Sequence, residues 1–265
     1  MSLAPVQAAK IHSTAIINGS AEIDSSVEIG PYCIIGANVR IDAGTKIAGH
    51  VTINGPTTIG KNNQIFQYSS LGEAPQDKKY KGEPTLLEIG NNNTIREFCT
   101  FNRGTAQDKN VTKIGSDNWI MAYVHIAHDC QIANHTIFAN NTSLAGHVDV
   151  DNYAILGGFT LIHQFCKIGA HVITAVGSVV FKDIPPYVTA SGYNAKPHGI
   201  NVEGLKRRGY TPETILQLKR AYKILYRNGL SLEEAKIELG LMAPLSPEIV
   251  LLIDFLNASS RSIIR

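Results

Sequence analysis

Aliphatic or aromatic residues recur at every sixth position along most of this chain. The clearest run is Ile114, Ile120, Ile126, Ile132, Phe138, Leu144, Val150, Leu156, Ile162 and Ile168. An α-helix repeats every 3.6 residues and a strand every 2, so neither gives a sixfold recurrence, whereas a coil of short strands that turns three corners does. Three hexads make one coil of 18 residues, and residues 18 apart should stack at roughly 4.8 Å. The pattern predicts a triangular prism of parallel β-strands.

The same register starts near the N-terminus and is interrupted twice. Its earlier positions are Ile11, Ile17, Ile23, Ile29, Ile35, Ile41, Ile47, Ile53, Ile59, Ile65 and Leu71. It lapses over residues 73–88 and slips by one residue over 103–113. We interpret both segments as loops inserted into a rigid scaffold. The first is densely charged and we expect it to be functional, since such loops often carry binding or catalytic residues.

The periodicity decays near residue 190, and a helical pattern replaces it. Thr211-Pro212 has the form of a helix start, Ser231 to Glu234 has that of a capping box, and Ser246-Pro247 opens a third helical segment through Phe255. We therefore predict a β-domain over residues 1–190 and a small helical domain over 191–265. Basic residues of this tail form either solvated faces or a docking surface for an acidic partner: Lys206, Arg207, Arg208, Lys219, Arg220, Lys223 and Arg227.

Composition narrows the class of protein. The chain has 265 residues, 44% hydrophobic residues and a net charge of +2, as an ordinary globular protein does. The longest apolar runs are too short for a transmembrane helix, and residues 1–9 do not resemble a signal peptide. We expect a cytoplasmic protein with no stable membrane insertion and no nucleic-acid partner. The cysteines share one register, four residues after a core position, which predicts small inward-facing side chains rather than metal ligands or disulfides: Cys33, Cys99, Cys130 and Cys166.

Histidines concentrate at one corner of three successive coils. Adding 18 to His128 gives Gly146, beside His147, and adding 18 again gives Gln164, beside His163. Three classes of function fit. His128 beside Asp129 could act as a general base in acyl transfer, with the Gly146 N–H stabilising an oxyanion. Three histidines could instead bind zinc for metal-assisted hydration. The prism could also be structural, with incidental histidines.

These motifs resemble the acyl-[acyl carrier protein]–UDP-N-acetylglucosamine O-acyltransferases, which begin lipid A synthesis. The resemblance covers the whole chain and rests on the hexads, HIAHDC, NNTSLAGHV, IHQFCKIGAHV, NVEGLKRRG and the loop GEAPQDKKYKGEP. It implies a left-handed parallel β-helix of hexapeptide repeats with a C-terminal helical domain, assembled as a homotrimer with sites between subunits. It implies transfer of an (R)-3-hydroxyacyl group to the sugar's 3-hydroxyl, with acyl carrier protein and UDP-N-acetylglucosamine as partners. No metal, and no cofactor beyond the carrier's phosphopantetheine, is implied.

The resemblance also assigns roles to residues. It implies that His128 is the base, Asp129 its orienting partner and Gly146 the oxyanion donor. Sugar-nucleotide or acyl contacts are implied for Asp77, Lys79, His125, His147, His163, Gln164, Asn201, Glu203, Arg207 and Arg208. Val176 matches the position where the acyl chain ends, and Val in place of Gly predicts a preference for chains shorter than about 14 carbons. The residues leave open whether the acceptor is a 3-hydroxyl or a 3-amine.

Overall fold

Three parallel β-sheets form the faces of a triangular prism in the computed structural model, which describes residues 10–265 apart from the side chain of Leu245. The expectation about residues 1–9 lies outside the described part. The first strands are β1 (Lys10–Ile11), β2 (Ile16–Ile17), β3 (Glu22–Ile23), β4 (Glu28–Ile29), β5 (Ile34–Ile35), β6 (Val39–Ile41), β7 (Lys46–Ile47), β8 (Thr52–Ile53), β9 (Thr57–Ile59), β10 (Gln64–Ile65), β11 (Ser70–Glu73), β12 (Leu86–Ile89), β13 (Thr94–Ile95) and β14 (Thr100–Asn102).

The strands continue to the helical tail. They are β15 (Val111–Ile114), β16 (Trp119–Ile120), β17 (His125–Ile126), β18 (Gln131–Ile132), β19 (Ile137–Phe138), β20 (Ser143–Leu144), β21 (Asp149–Val150), β22 (Ile155–Leu156), β23 (Leu161–Ile162), β24 (Lys167–Ile168), β25 (Ile173–Thr174), β26 (Val179–Val180), β27 (Val188–Ser191) and β28 (Lys196–Ile200). The helices are α1 (Val202–Arg207), α2 (Pro212–Tyr226), α3 (Leu232–Met242), a 3₁₀ turn (Ala243–Leu245) and α4 (Pro247–Ala258).

Up to β26, every third strand joins the same sheet, as a three-sided coil requires; β27 and β28 then both follow β25 in the 11-stranded sheet. The sheets have 11, 9 and 8 strands, and they begin with β1, β2 and β3 respectively. Strand partners in the regular coils are 18 residues apart, for example Ile126 with Leu144 and Ile132 with Val150. This architecture is the left-handed parallel β-helix of hexapeptide repeats, with a helical region at its C-terminal end.

The hexad residues build the core because alternate side chains of each short strand point inward. From Ile29 to Ile168 every hexad position is buried, and so are the four cysteines, which are free thiols. The prediction of inward-facing cysteines is confirmed. Ile11, in the first coil of the described part of the chain, is 39% exposed.

Both inserted loops are shorter than the sequence pattern predicted. The first occupies residues 74–85 and the second 103–110, because β11, β12 and β15 extend their ladders beyond the hexad core residue. Partners across the first loop are 30 residues apart, as Ile65 and Ile95 are, and partners across the second are 25 apart, as Ile95 and Ile120 are. Each loop therefore lengthens one coil without changing the faces of the prism.

The end of the prism differs from the sequence prediction, which assigned residues 191–265 to a helical domain. Residues 196–200 form β28, which turns back to pair antiparallel with β27 in the 11-stranded sheet. Helices begin only at Val202, and α1 was not predicted. The predicted caps are present: the Thr211 hydroxyl accepts from the Thr214 N–H, and Ser231 and Glu234 form a capping box. The tail closes this end through Asp183, which accepts a hydrogen bond from the Ser259 hydroxyl at 2.6 Å.

Candidate active site

One corner of the prism carries both loops and the histidine motif. At this corner each coil passes from the 9-stranded to the 8-stranded sheet, and the loops join β11 to β12 and β14 to β15 there. The next three coils contribute residues 127–130, 145–148 and 163–166. We call these three segments the histidine corner. The first loop, with Asp77 and Lys79, therefore leaves the prism at the same corner as His128, two coils before it.

The coils of the histidine corner stack as the spacing of 18 predicted. The His147 N–H donates to the His128 carbonyl at 3.0 Å, and the Phe165 N–H donates to the Gly146 carbonyl at 3.2 Å. Gly146 thus lies directly above His128. A Cβ at Gly146 would lie 2.5 Å from His128 Cε1 and 2.8 Å from Nε2. Only glycine leaves the imidazole this position.

His128 and Asp129 form a hydrogen-bonded pair. The distance from His128 Nδ1 to Asp129 Oδ2 is 2.9 Å, and the Asp129 side chain is fully buried. Burial alone would raise the pKa of Asp129, but hydrogen bonds from His128 and Thr105 hold that pKa below its usual range. An ionised Asp129 keeps the proton of His128 on Nδ1, so Nε2 carries the lone pair. This is the state of a general base.

The second loop contributes two residues that sequence analysis did not single out. The Thr105 N–H lies 3.0 Å from each Asp129 carboxylate oxygen, and its hydroxyl donates to Oδ2 at 2.6 Å. Asp108 Oδ2 lies 2.5 Å from His147 Nδ1. The imidazole of His147 packs edge-on against that of His128, with ring centroids 4.9 Å apart. Two His–Asp pairs therefore lie side by side.

Gly146 offers an unused hydrogen-bond donor. Its N–H has no acceptor among the described residues, because the corner turns the chain away from the ladder at this position. Gly146 also has no side chain that would keep a substrate away from this N–H. An oxyanion forming beside His128 Nε2 could accept a hydrogen bond here.

His128, Asp129 and His147 could also hold a metal ion, since ligand atoms of the three lie within 4.8 Å of one another. Two histidines and a carboxylate suit zinc. However, Nδ1 of each histidine is already hydrogen-bonded to an aspartate, and Asp129 accepts from Thr105 as well. A metal ion would have to use Nε2 of the histidines or displace these bonds.

The other predicted contacts near this corner differ in burial. His125 lies on β17, where Thr100 Oγ1 is 2.8 Å from its Nδ1. Burial lowers the pKa of His125. His163 is exposed, with Nδ1 3.1 Å from the Gln164 carbonyl. In the first loop, Asp77 accepts from the Lys79 N–H at 2.9 Å, and Lys79 is exposed.

Asn201, Glu203, Arg207 and Arg208 lie elsewhere in the same chain. Asn201 caps α1 through the Gly204 N–H at 3.0 Å and donates to the His171 carbonyl at 3.1 Å. The guanidinium of Arg208 lies 4.5 Å from the Tyr153 ring centroid. These contacts attach α1 to the corner between the 8-stranded and 11-stranded sheets. Glu203 pairs with Lys206, and Arg207 is exposed.

Val176 lies at the third corner, between the 11-stranded and 9-stranded sheets. The Gly177 N–H donates to the Gly158 carbonyl and the Phe159 N–H to the Asn140 carbonyl, so Val176 stacks above Gly158 and Asn140 as predicted. Its side chain is 76% exposed. One chain therefore presents the predicted base, nucleotide contacts and acyl stop at three different corners.

Comparison with known proteins agrees with this arrangement. The family described as bacterial transferase hexapeptide (six repeats) matches residues 112–146, and the family described as UDP-N-acetylglucosamine O-acyltransferase, domain 2, matches residues 183–264. The acyl-[acyl-carrier-protein]–UDP-N-acetylglucosamine O-acyltransferase of Thiobacillus denitrificans is 65% identical over 203 residues, 77% of this chain and 79% of that protein. The protein of the same name from Janthinobacterium is 58% identical over 208 residues, again 77% and 79%.

Solved structures show the same fold. LpxA from Acinetobacter baumannii superposes with a TM-score of 0.95 at 52% identity, over 97% of this chain and 100% of that chain. The UDP-N-acetylglucosamine O-acyltransferase of Moraxella catarrhalis gives 0.95 at 47% identity, with the same coverage. Among the described residues, no helix is long and apolar enough to cross a membrane.

Proposed function

This chain belongs to the acyl-[acyl-carrier-protein]–UDP-N-acetylglucosamine O-acyltransferase family and is an acyltransferase, and we propose how its residues carry out the reaction. It transfers an (R)-3-hydroxyacyl group from acyl carrier protein to the 3-hydroxyl of UDP-N-acetylglucosamine, the first step of lipid A synthesis. One observation carries the assignment of the base: the Asp129 carboxylate lies 2.9 Å from His128 Nδ1, and above the imidazole lies Gly146, whose N–H has no acceptor among the described residues.

The chemistry follows from this geometry. His128 Nε2 removes the proton of the sugar 3-hydroxyl as that oxygen attacks the thioester carbonyl carbon. A new C–O bond forms, and the carbonyl oxygen becomes an oxyanion that accepts a hydrogen bond from the Gly146 N–H. Collapse of this intermediate breaks the C–S bond. The phosphopantetheine thiolate leaves on the carrier and takes up the proton held by His128, so the base is regenerated.

We propose that no metal and no further cofactor takes part. The hydrogen bonds that already engage His128 Nδ1, His147 Nδ1 and both oxygens of Asp129 support this, since they serve a base and its orienting groups. Extensive dialysis against a chelator should leave turnover unchanged, and metal analysis should find less than one zinc per site. Loss of activity that returns with zinc would favour metal chemistry instead.

We also propose a homotrimer with sites shared between subunits. The argument is the separation of the three corners: no single small substrate reaches His128, Arg208 and Val176 on one prism, but the corner of one copy can face a different corner of the next. Closed cyclic assembly makes such clefts equivalent. Light scattering should give about 86 kDa, three times the chain mass of 28.7 kDa. A stable, fully active monomer would contradict shared sites.

The remaining substrate contacts are part of the proposal. Asp77, Lys79, His125, His147, His163 and Gln164 would contact the sugar or acyl group, and Asn201, Glu203, Arg207 and Arg208 the nucleotide. Arg207 supports this best, because it is exposed and guanidinium groups bind phosphate oxygens bidentately. We further propose a cytoplasmic location, which four free thiols support.

The test of the base is His128→Ala with acyl carrier protein thioesters and UDP-N-acetylglucosamine. The variant should fold with a wild-type melting temperature yet lose at least about 100-fold in kcat, the usual contribution of a general base. Near-wild-type turnover would refute the role of His128. The mass of the product distinguishes esterification of a 3-hydroxyl from amide formation on the 3-amino sugar, which the same base could catalyse.

A further inference from the structure

The second loop is fastened to the histidine corner at three points. Thr105 binds Asp129, Asp108 binds His147, and Lys109 Nζ lies 2.6 Å from Asp149 Oδ1. The first contact is made to the aspartate that pairs with His128, and the second forms the pair between Asp108 and His147. The third is a half-exposed ion pair, which contributes little to stability. The loop therefore has its strongest attachment at Asp129.

Thr105 supplies most of the hydrogen bonds that Asp129 accepts. Within the described part of the chain, Oδ1 accepts only from the Thr105 N–H, whereas Oδ2 is shared among the Thr105 N–H, the Thr105 hydroxyl and His128 Nδ1. Both residues are inaccessible to solvent, with Thr105 1% and Asp129 0% exposed. Water therefore cannot replace a lost donor without the site opening.

We propose that Thr105 is a positioning residue for the acyl transfer, fixing the orientation of the Asp129 carboxylate and the share of its negative charge that reaches His128. The inference rests on the proposed role of His128 as base. The hydroxyl of Thr105 and Nδ1 of His128 compete for the same oxygen, Oδ2. Removing the hydroxyl has two consequences: the carboxylate interacts more strongly with the imidazole, and it is held in place by fewer bonds.

The two consequences affect different measured quantities: the first raises the pH of the acid limb, and the second lowers kcat on the plateau. Stronger interaction with Asp129 favours the protonated imidazole, so the acid limb of the kcat/KM profile moves to higher pH. Looser orientation of the carboxylate lowers kcat on the plateau. A residue that only holds the loop would lower stability and leave the acid limb where it is.

The experiment compares Thr105→Val, which removes the hydroxyl and keeps the shape and the N–H, with Thr105→Ser, which keeps the hydroxyl. Thr105→Val should lower plateau kcat about tenfold and move the acid limb up by roughly half a pH unit, with the KM for UDP-N-acetylglucosamine unchanged. Thr105→Ser should restore both. If Thr105→Val does not fold, Thr105→Ala takes its place with the same expected shift.

Thr136→Val is the matched control. Its hydroxyl is equally buried and donates to Asn118 Oδ1 at 2.7 Å, but it lies at another corner. It should unfold at a lower urea concentration than the wild type and keep the wild-type pH profile. A Thr105→Val profile that cannot be told from that of Thr136→Val would overturn the proposal.

A double-mutant cycle with Asp129→Asn gives a second test. If Thr105 acts through Asp129, adding Thr105→Val to Asp129→Asn should change kcat by less than about twofold. Full additivity would contradict this. His128→Ala, assayed in parallel, keeps the two hypotheses apart: activity in His128→Ala refutes the proposed base, whereas an inactive His128→Ala beside an unshifted Thr105→Val refutes the positioning role alone.

Discussion

At Gly146 we expect the addition of a single methyl group to cause a large loss of activity. The Gly146 Cα lies over the imidazole of His128, so the Cβ of Gly146→Ala would overlap Cε1 and Nε2 and push the ring from its bond with Asp129. We expect kcat to fall about 100-fold or more, with a small change in melting temperature. Gly19 occupies the equivalent position in the first coil, where no described residue lies within 4 Å of an added Cβ.

Gly19→Ala is therefore the matched control for that substitution, and it should retain wild-type activity. If both variants are active, Gly146 neither confines His128 nor needs to lack a side chain. Steady-state turnover at saturating carrier thioester is sufficient to separate these outcomes.

His171 should make the protein sensitive to mild acid. It is buried between Tyr153 and Tyr187, with Tyr210 and Arg208 as its polar neighbours. Burial, followed by the positive charge of Arg208, lowers its pKa from 6.5 to about 4. The unfolded chain thus binds a proton between pH 6.5 and 4 that the folded chain does not, so this contribution to stability is complete above pH 6.5 and is lost as pH falls to 4.

The free energy of unfolding that His171 contributes above pH 6.5, and that is lost by pH 4, is about 3 kcal/mol at most. His171→Phe keeps an aromatic ring in the stack, and Phe already occupies the equivalent left-handed corner positions 159 and 165. Urea unfolding at pH 7 and pH 4.5 should show a smaller difference for His171→Phe than for wild type. An equal difference in both proteins would mean that other groups cause the acid sensitivity.

At the level of elements, the sixfold repeat predicts the faces of the prism and the stacking of its coils, but it does not predict the loop contacts. The hexads define the faces of the prism, and counting by 18 correctly places Gly146 above His128 and Gln164 above Gly146. The contact between Thr105 and Asp129 spans 24 residues, a spacing that follows from neither the coil nor the slip of one residue. A loop conformation is determined by the particular hydrogen bonds that the loop forms. The contacts of the second loop could therefore be identified only from the structure.

The tail shows the same limit. The sequence predicts the helix caps at Thr211 and Ser231 because each capping side chain and its backbone partner are only three residues apart. The sequence does not predict that β28 turns back to pair antiparallel with β27, because KPHGI shows no alternation of apolar and polar residues. The nucleotide contacts on α1 rest on resemblance alone, and they stay a prediction.

Helix α2 has a cationic face suited to an acidic carrier. Lys219, Arg220 and Lys223 are exposed and form no ion pair with the described residues, whereas Lys206 is paired with Glu203. We expect Arg220→Glu or Lys223→Glu to raise the KM for acyl carrier protein about threefold or more at low salt. The effect should shrink as ionic strength rises, since charges are screened over about 8–10 Å.

The KM for UDP-N-acetylglucosamine should change less in these variants. Lys61→Glu, an exposed lysine on the prism, provides the control of equal charge change. Equal effects of Lys61→Glu and Arg220→Glu on the KM for the carrier would identify net charge, rather than a docking face, as the cause.

At the scale of the assembled molecule, Val176 should limit acyl length. A side chain that is 76% exposed on one prism can stop an acyl chain only where another subunit encloses it. Val176→Gly would open space for additional methylenes, each worth about 0.8 kcal/mol when buried. Competition among carrier thioesters should then move the preferred length from below about 14 carbons to a longer chain. An unchanged preference would show that other residues set the length.

The spacing of 18 residues between stacked partners also has a consequence for biosynthesis. A coil needs only the coil before it, so the prism can grow from its N-terminal end as the ribosome delivers each hexad, without waiting for distant sequence. While the prism is growing, the newest coil exposes a row of unpaired backbone groups. Residues 259–264 cover that row at the end of the 8-stranded sheet, where Ser259 and Ile264 bond to Asp183. A ribosome stalled before residue 259 would therefore hold a nascent prism in which only the 8-stranded sheet is still open at its growing end.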